Sequence, residues 1–330
     1  MTKLSLRNYW HPIALSSEVT DKPTAFRMLG EQIVAFRDGD SVSVFKDLCI
    51  HRGAAFSAGG VVRDGNLVCP YHGWTYDRSG ACVHIPSLAE GAPIPEKARA
   101  TAYQAREAYG MVWACLAEPA MPFPEWPDDA WERPDHRVFL VNTYDWKASA
   151  GRVVENAMDF SHFNFVHVGY TELADGPVVK PYEVRRTERG LNFAYDDGHL
   201  LRDYVIEFPF IVHDRKSVVK VGTGKTWSDS EDSKPGDITC LSFLAAPIDD
   251  TTTRIYVFVG RNHSLDKDDA AFSGGFDTVM EQDRVVVESQ RPEQIPVAIS
   301  EELHIRFPDA AAIQYRRLLR ELDKAEAFVP

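Results

Sequence analysis

Two cysteine and histidine pairs sit in the first quarter of the 330-residue chain: Cys49-Ile50-His51 and, after a seventeen-residue gap, Cys69-Pro70-Tyr71-His72. Each offers one thiolate and one imidazole, the donors of a metal centre. A second set follows, with Asn156, Asp159, His162 and His167 inside twelve residues. Two neutral imidazoles joined by a carboxylate hold ferrous iron with coordination positions left open for oxygen. On a regular helix, at about 100° per residue, His162 and His167 would point about 140° apart and could not share an ion. The spacing therefore predicts a π-bulge or a break between them, with Gly169 ending the segment.

The missing carboxylate is sought on a later helix, read over 268–290 and closed by Pro292. Phe272, Phe276, Val279, Val286 and Val287 make an apolar stripe, and Asp283 falls on it four residues after Val279. A charge on a core-facing stripe is costly unless it is paired or binds metal. Asp283 is thus the expected third ligand, against the plainer reading of a salt-bridged Asp at the edge of the stripe. Glu281 and Glu288 point away and read as solvated charges. Asp159, three residues before His162, is placed to hold that ring's outer nitrogen. Gln290, seven residues after Asp283, is expected on the same face, bonding a polar substrate.

For the first set, splitting one Cys and one His onto each of two loops suits a Rieske [2Fe-2S] centre, in which two histidines replace two cysteines on one iron. A structural zinc ribbon with the same four side chains is the alternative. In CPYHGW, Pro70 fixes the chain beside a ligand and Gly73 permits a tight turn. Cys82, Cys115 and Cys240 lack partner spacing and read as core thiols.

Around these sites the pattern changes along the chain. Up to residue 118 short strands alternate with turns: a hairpin at Asp38-Gly39-Asp40, another at Asp64-Gly65, a turn at Ser79-Gly80 and a strand through YGMVWACLA. Five prolines, Pro119, Pro122, Pro124, Pro127 and Pro134, mark 119–135 as a connector without regular helix. A helix then starts after Ser149 as N-cap and runs through RVVENAMDFSHF. Strand-like runs LNFAYDD, YVIEFPFIV, ITCLSFLAAPI and RIYVFVG follow, divided by turns such as TGKTWSDSEDSKPGD, and AAIQYRRLLRELDKA forms a last helix. The expected fold class is α+β: an all-β domain over 1–118, a connector over 119–135, and an antiparallel sheet with helices laid on it over 136–330. Of its aromatic residues, Phe193, Tyr204, Phe208, Phe210, Phe243, Tyr256 and Phe258 are candidates for a cavity wall.

Composition narrows the partners. With 36 Lys+Arg against 49 Asp+Glu the net charge is -13, without the basic stripe that nucleic-acid binding needs. No apolar run reaches the roughly 18 residues of a membrane span. The five cysteines are an odd number, thinly spread, unlike a secreted disulfide framework. The N-terminus lacks an apolar signal region, so a cytoplasmic location is expected.

CIH, CPYHGW and the pattern NxxDxxHxxxxH with a late Asp together resemble the Rieske non-haem iron oxygenases, specifically the catalytic (alpha) subunit that works without a β partner. The likeness runs from NYWHP to IQYRRLLREL. It is greatest to the group that contains vanillate O-demethylase, methylxanthine N-demethylases and saxitoxin-pathway hydroxylases. The resemblance implies an N-terminal Rieske domain and a C-terminal helix-grip (START-like) domain with mononuclear iron. It makes Cys49, His51, Cys69 and His72 the cluster ligands and His162, His167 and Asp283 the iron ligands. Asp159 matches a bridging acid, and Asn156 a polar position near the iron; these two are the catalytic candidates.

The resemblance further implies a head-to-tail homotrimer in which His72 of one subunit lies beside Asp159 of the next, the two metal sites of one chain being too far apart for efficient transfer. Electrons would come from NADH through a separate reductase, with or without a ferredoxin, since no reductase domain is visible. The expected reaction is monooxygenation of an aromatic or heterocyclic compound, by hydroxylation or oxidative demethylation. Rivals are a cis-dihydroxylating arene dioxygenase, a Rieske electron carrier and a zinc-ribbon scaffold; the second His/Asp set speaks against the last two.

Overall fold

The computed structural model describes residues 6–173, 176–222 and 232–326, and the chain divides into two compact units, Leu6–Met121 and Pro122–Pro330. The first is built of strands and turns. In chain order it contains β1 (His11–Leu15), β2 (Thr24–Met28), β3 (Glu31–Asp38), β4 (Ser41–Lys46), β5 (Val61–Arg63), β6 (Asn66–Val68), β7 (Thr75–Tyr76), β8 (Cys82–His84), β9 (Ala102–Ala108) and β10 (Met111–Cys115). A six-stranded sheet runs in the order β1-β10-β9-β4-β3-β2, and a four-stranded one in the order β5-β6-β7-β8.

Both predicted hairpins form. Asp38 pairs with Ser41 across Gly39-Asp40, and Arg63 with Asn66 across Asp64-Gly65, where φ values of 49° and 76° give the primed turn that a two-residue loop requires. At the next turn Asp77 Oδ1 accepts from the Ser79 and Ala81 amides. Gly80 there is obligatory: its φ is +84°, and a Cβ would lie 2.2 Å from the Ala100 carbonyl oxygen. Phe45, Phe56, Leu67 and Tyr76 form an apolar cluster that also buries Cys49 and Cys69.

Most of the expected connector is part of the second unit. The prolines restrict it to one 3-10 turn, Pro127–Asp129, but its aromatic residues pack on the sheet that follows. Trp126 and Trp131 lie 5.5 and 5.9 Å from Phe258 between ring centroids, and Asp128 pairs with Arg215 at 2.6 Å.

The second unit continues with β11 (Arg137–Trp146), α1 (Ala150–Met158), α2 (Phe163–Val166), β12 (Val184–Arg186), β13 (Gly190–Asp196), β14 (Leu200–Glu207), β15 (Ile211–Val218), β16 (Ile238–Asp249), β17 (Thr252–Arg261), α3 (Ala270–Ser273), α4 (Phe276–Val287) and α5 (Ala310–Glu326). One antiparallel sheet has the order β11-β17-β16-β15-β14-β13-β12. α1 packs on β15, β16 and β17 and against α4 and α5, so this helix is enclosed by protein on most sides.

Four sequence readings need correction. YVIEFPFIV is not one strand: β14 ends at Glu207, and Phe208-Pro209-Phe210 turn the chain into β15, because proline has no N–H for the ladder. The helix read over 268–290 is two, broken at Gly274-Gly275 and finished at Val287. Ser149 occupies the N-cap position, yet its hydroxyl accepts from the Ile295 amide at 3.2 Å instead of capping α1. β11, at the sheet edge beside β17, was not anticipated. The turn containing TGKTWSDSE lies outside the described residues.

Candidate functional site

α1 ends at Met158, where Asp159 turns extended at φ −86° and ψ 137°. The chain then makes the single-turn helix α2, with His162 at its start and His167 at its end. No π-bulge separates the histidines among the described residues. The break falls before His162 instead, and the short helix ends the problem of the 140° offset because neither histidine is inside it. Gly169, with φ +83°, does turn the chain beyond.

α4 supplies the carboxylate. Its inner face is Phe276, Met280, Asp283 and Val287, all buried, whereas Val286 is exposed. Asp283 Oδ1 lies 3.1 Å from His167 Nε2 and 3.4 Å from His162 Nε2, and the two ring nitrogens approach to 3.2 Å. These three residues form a cluster whose donor atoms all lie within 4.8 Å of one another. Donors at about 2.1 Å from one ion and at right angles are about 3 Å apart, so the spacing fits three adjacent positions on a single six-coordinate metal. The other three positions would stay open.

The outer ring nitrogens fix the tautomers. Asp159 Oδ2 accepts from His162 Nδ1 at 2.8 Å, which leaves Nε2 free to bind metal. His167 Nδ1 donates to Gln282 Oε1 at 2.9 Å. The sequence reading missed Gln282; its only trace there is its place beside Asp283, one position round the helix. Asn156 Nδ2 donates to Asp283 Oδ1 at 3.2 Å, orienting the carboxylate. Burial opposes protonation of His162, but the Asp159 and Asp283 carboxylates outweigh it and raise its pKa to about 9. Glu281 pairs with Arg284 on the exposed side; Glu288 is not a free solvated charge, since it pairs with Arg284 at 2.9 Å and accepts from the Lys147 amide.

Two cavities flank this cluster. One is walled by Trp146, Leu241, Phe243, Phe276, Val279 and Met280 and reaches His162, His167 and Asp283. Of the seven aromatic candidates only Phe243 lines it. Strand alternation turns Phe258 to the opposite face, against Trp126, while Phe193 and Tyr204 stack on each other at 4.5 Å beside Phe160. The second cavity is the more polar of the two, lined by Asp159, Tyr182, Gln290, Glu302 and Arg316 among others. Gln290 therefore faces this second cavity, which Asp283 also lines, and not the apolar one, and among the described residues its buried Oε1 has no hydrogen-bond partner. Arg152 and Arg316 both grip Glu302 at 2.6 Å, tying the segment after α4 to α1 and α5.

In the first unit, the two Cys/His loops share one backbone plan. The Cys49 amide donates to the Ala54 carbonyl and the Gly53 amide to the Cys49 carbonyl; the Cys69 amide donates to Trp74 and the Gly73 amide to Cys69. Each loop thus closes at the glycine four residues past its cysteine, at φ +72° and +69°. Gly53 was overlooked, although the equal offset was visible. The His51 and His72 rings lie 4.6 Å apart between centroids, with Trp74 stacked on His51 at 4.4 Å. Both cysteines are buried; burial and the neighbouring Cys49 push the Cys69 thiol up. Among the described residues His51 Nδ1 is buried without a hydrogen-bond partner, and Tyr76 Oη is 3.2 Å from Cys49 Sγ. An orphan imidazole nitrogen among buried thiols is what a bound iron–sulfur cluster would satisfy.

Paired Cys/His loops on an all-β unit, followed by a two-histidine, one-carboxylate cluster beneath an antiparallel sheet, define a two-centre iron oxygenase. The chain belongs to the Rieske non-haem iron oxygenases: residues 9–102 match the Rieske [2Fe-2S] domain and 146–325 the vanillate O-demethylase oxygenase C-terminal domain. It is similar to methylxanthine N1-demethylase NdmA of Pseudomonas putida, with 32% identity over 97% of this chain and 90% of the relative, and to methylxanthine N3-demethylase NdmB, with 29% over the same shares. The solved NdmA QL mutant with caffeine, from Pseudomonas putida CBB5, superimposes with a TM-score of 0.84 at 31% identity, over 98% of this chain and 92% of that one. Dicamba monooxygenase bound to dicamba has the same fold at 20% identity and a TM-score of 0.80, over 98% and 99%. Members of the family combine a [2Fe-2S] cluster with mononuclear iron and form the oxygenase component of a system that needs a separate reductase. Among the described residues no helix is long and apolar enough to cross a membrane.

Proposed function

We propose that this protein hydroxylates or oxidatively demethylates an aromatic or heterocyclic small molecule. The observation that carries the reading is the junction of the His162, His167 and Asp283 donors with a cavity walled by Trp146, Phe243 and Phe276. Cys49, His51, Cys69 and His72 would hold the cluster, and His162, His167 and Asp283 the iron; the two groups supply reductive activation of O₂ when bound. The apolar wall holds the ring and excludes water. Asn156 orients the carboxylate, and Asp159 and Gln282 keep both imidazoles in the metal-binding tautomer.

We further infer a head-to-tail trimer, with His72 of one subunit meeting Asp159 of its neighbour. His72 is exposed, and the Asp159 side chain is 32% exposed where it borders the polar cavity, so both are available to a partner subunit.

Reconstitution with a reductase, NADH and a panel of methylated and unmethylated ring compounds tests the reaction. Formaldehyde beside the demethylated ring, or a hydroxylated product, is the expected outcome. Oxygen consumption without any organic product, or a cis-diol, would overturn it.

A further inference from the structure

The apolar cavity has a charged inner wall that ring binding alone does not need. Cross-strand register sets Arg202 opposite Lys216 and Tyr204 opposite Asp214, and sets Asp214 opposite Leu241. These side chains share the sheet face that carries Leu241 and Phe243, and Asp214, Lys216 and Thr171 line the cavity with the metal cluster.

Arg202 and Asp214 are almost fully buried, at 1% and 3% exposure. Arg202 reaches Asp214 Oδ2 at 3.1 Å and Asp197 Oδ2 at 3.6 Å, and Lys216 Nζ reaches the same Asp214 Oδ2 at 3.4 Å. Two cations facing each other across a β pair repel. The two aspartates cancel them, so the four charges sum to zero. Both cations crowd onto Oδ2, however, and among the described residues the buried Asp214 Oδ1 has no hydrogen-bond partner. A buried charge network costs more than apolar packing of the same volume, and an unmet carboxylate oxygen adds to that cost.

We propose that Asp214 is a specificity-determining residue, its Oδ1 accepting a hydrogen bond from an N–H or O–H on the ring substrate while Arg202 and Lys216 engage its Oδ2. The substrate class is a neutral ring compound with a donor on the edge turned toward β15. A substrate carboxylate is excluded, because it would add an uncompensated negative charge to a balanced buried cluster. The inference rests on the reading of this cavity as the substrate pocket.

Equilibrium binding to the anaerobic holoenzyme without reductase tests it. The probes are matched rings carrying an N–H or O–H, its methylated counterpart, or a carboxylate at the same position. In the wild-type protein the donor ring should bind roughly 10- to 100-fold more tightly than the methylated one, and the carboxylate most weakly. Asp214→Asn should lose this preference and bind the carboxylate better, since Asp197 alone then faces two cations and the cluster carries one net positive charge. Lys216→Met, which retains Asp214, should keep the donor preference and weaken the carboxylate further. If Asp214→Asn does not fold, the wild-type series and Lys216→Met still decide. Equal binding of the three wild-type probes, tightest binding by the carboxylate, or no binding by any of them overturns the proposal. Product analysis after adding reductase and O₂ is a separate reading: bound rings that yield no product sink oxygenation and leave the binding order intact.

Discussion

Asp159 Oδ2 accepts the Nδ1 proton of His162 at 2.8 Å, and Nε2 of the same ring lies 3.4 Å from Asp283 Oδ1. One imidazole therefore joins a carboxylate at the mouth of the polar cavity to the buried donor cluster. Asp159→Asn keeps the size of the side chain and removes its charge. The variant should retain iron and cluster, while product formation falls by about 10- to 100-fold or more. Metal analysis beside turnover checks this; near-normal product formation would sink the role given to Asp159.

The head-to-tail arrangement makes a separate prediction. A His72→Ala subunit keeps a sound Asp159, and an Asp159→Asn subunit keeps a sound His72. Each homomeric variant should be strongly impaired, yet co-expressed subunits should recover part of the activity, because some interfaces in the mixed ring pair two intact residues. Activity in the mixture no greater than in either variant alone would exclude transfer between subunits.

Asp283→Ala should abolish the mononuclear iron and leave the cluster's EPR signal unchanged. The carboxylate lies 3.1 Å from His167 Nε2 and is held by Asn156, on a helix of the second unit, whereas the Cys/His loops belong to the first. Loss of the cluster signal with the iron would contradict this separation.

The spacing of ligands was more legible than the backbone that presents them. Residue types marked the Cys/His loops, His162, His167 and Asp283, because thiolates and imidazoles in such patterns serve few other purposes. Helical arithmetic anticipated a distortion at the histidines but put it inside the pair, since nothing local shows that Asp159 leaves the helix. Gln290 does share a cavity with Asp283, but the second one, because helical counting cannot tell which of two cavities a face borders. Gln282 was invisible because an amide becomes a partner of His167 only when α4 lies against α2. Asp214 and Lys216 were hidden as well, for alternation along β15 cannot say which face meets a cavity until its neighbours are known.

Gln282→Leu removes the acceptor for His167 Nδ1 and retains the bulk of the side chain. The ring then loses its fixed tautomer, so iron affinity should fall by about 10- to 100-fold with the fold intact. Anaerobic titration with ferrous iron in competition with a chelator measures it. Gln282→Glu, which keeps an acceptor, should bind at least as well as the wild type. Equal affinity in all three proteins would show that the His167 contact does not support the metal.

Protonation of His162 links pH to metal and to stability. In the metal-free protein its pKa is raised from 6.5 to about 9, so folding favours the charged ring. That contribution is fully present below about pH 6.5 and is lost as pH rises through about 9. Iron needs the Nε2 lone pair, so the same proton must leave before binding. Apparent iron affinity should therefore rise up to about tenfold per pH unit below about 9 and level off above. Thermal melts of the metal-free protein should show more stability at pH 6 than at pH 9.5, relative to a His162→Gln variant that lacks the group. Ferrous iron added anaerobically should raise the melting temperature more at pH 8.5 than at pH 6.5. An affinity that falls as pH rises, or a wild-type advantage over His162→Gln that grows toward pH 9.5, would contradict a ring held protonated between Asp159 and Asp283.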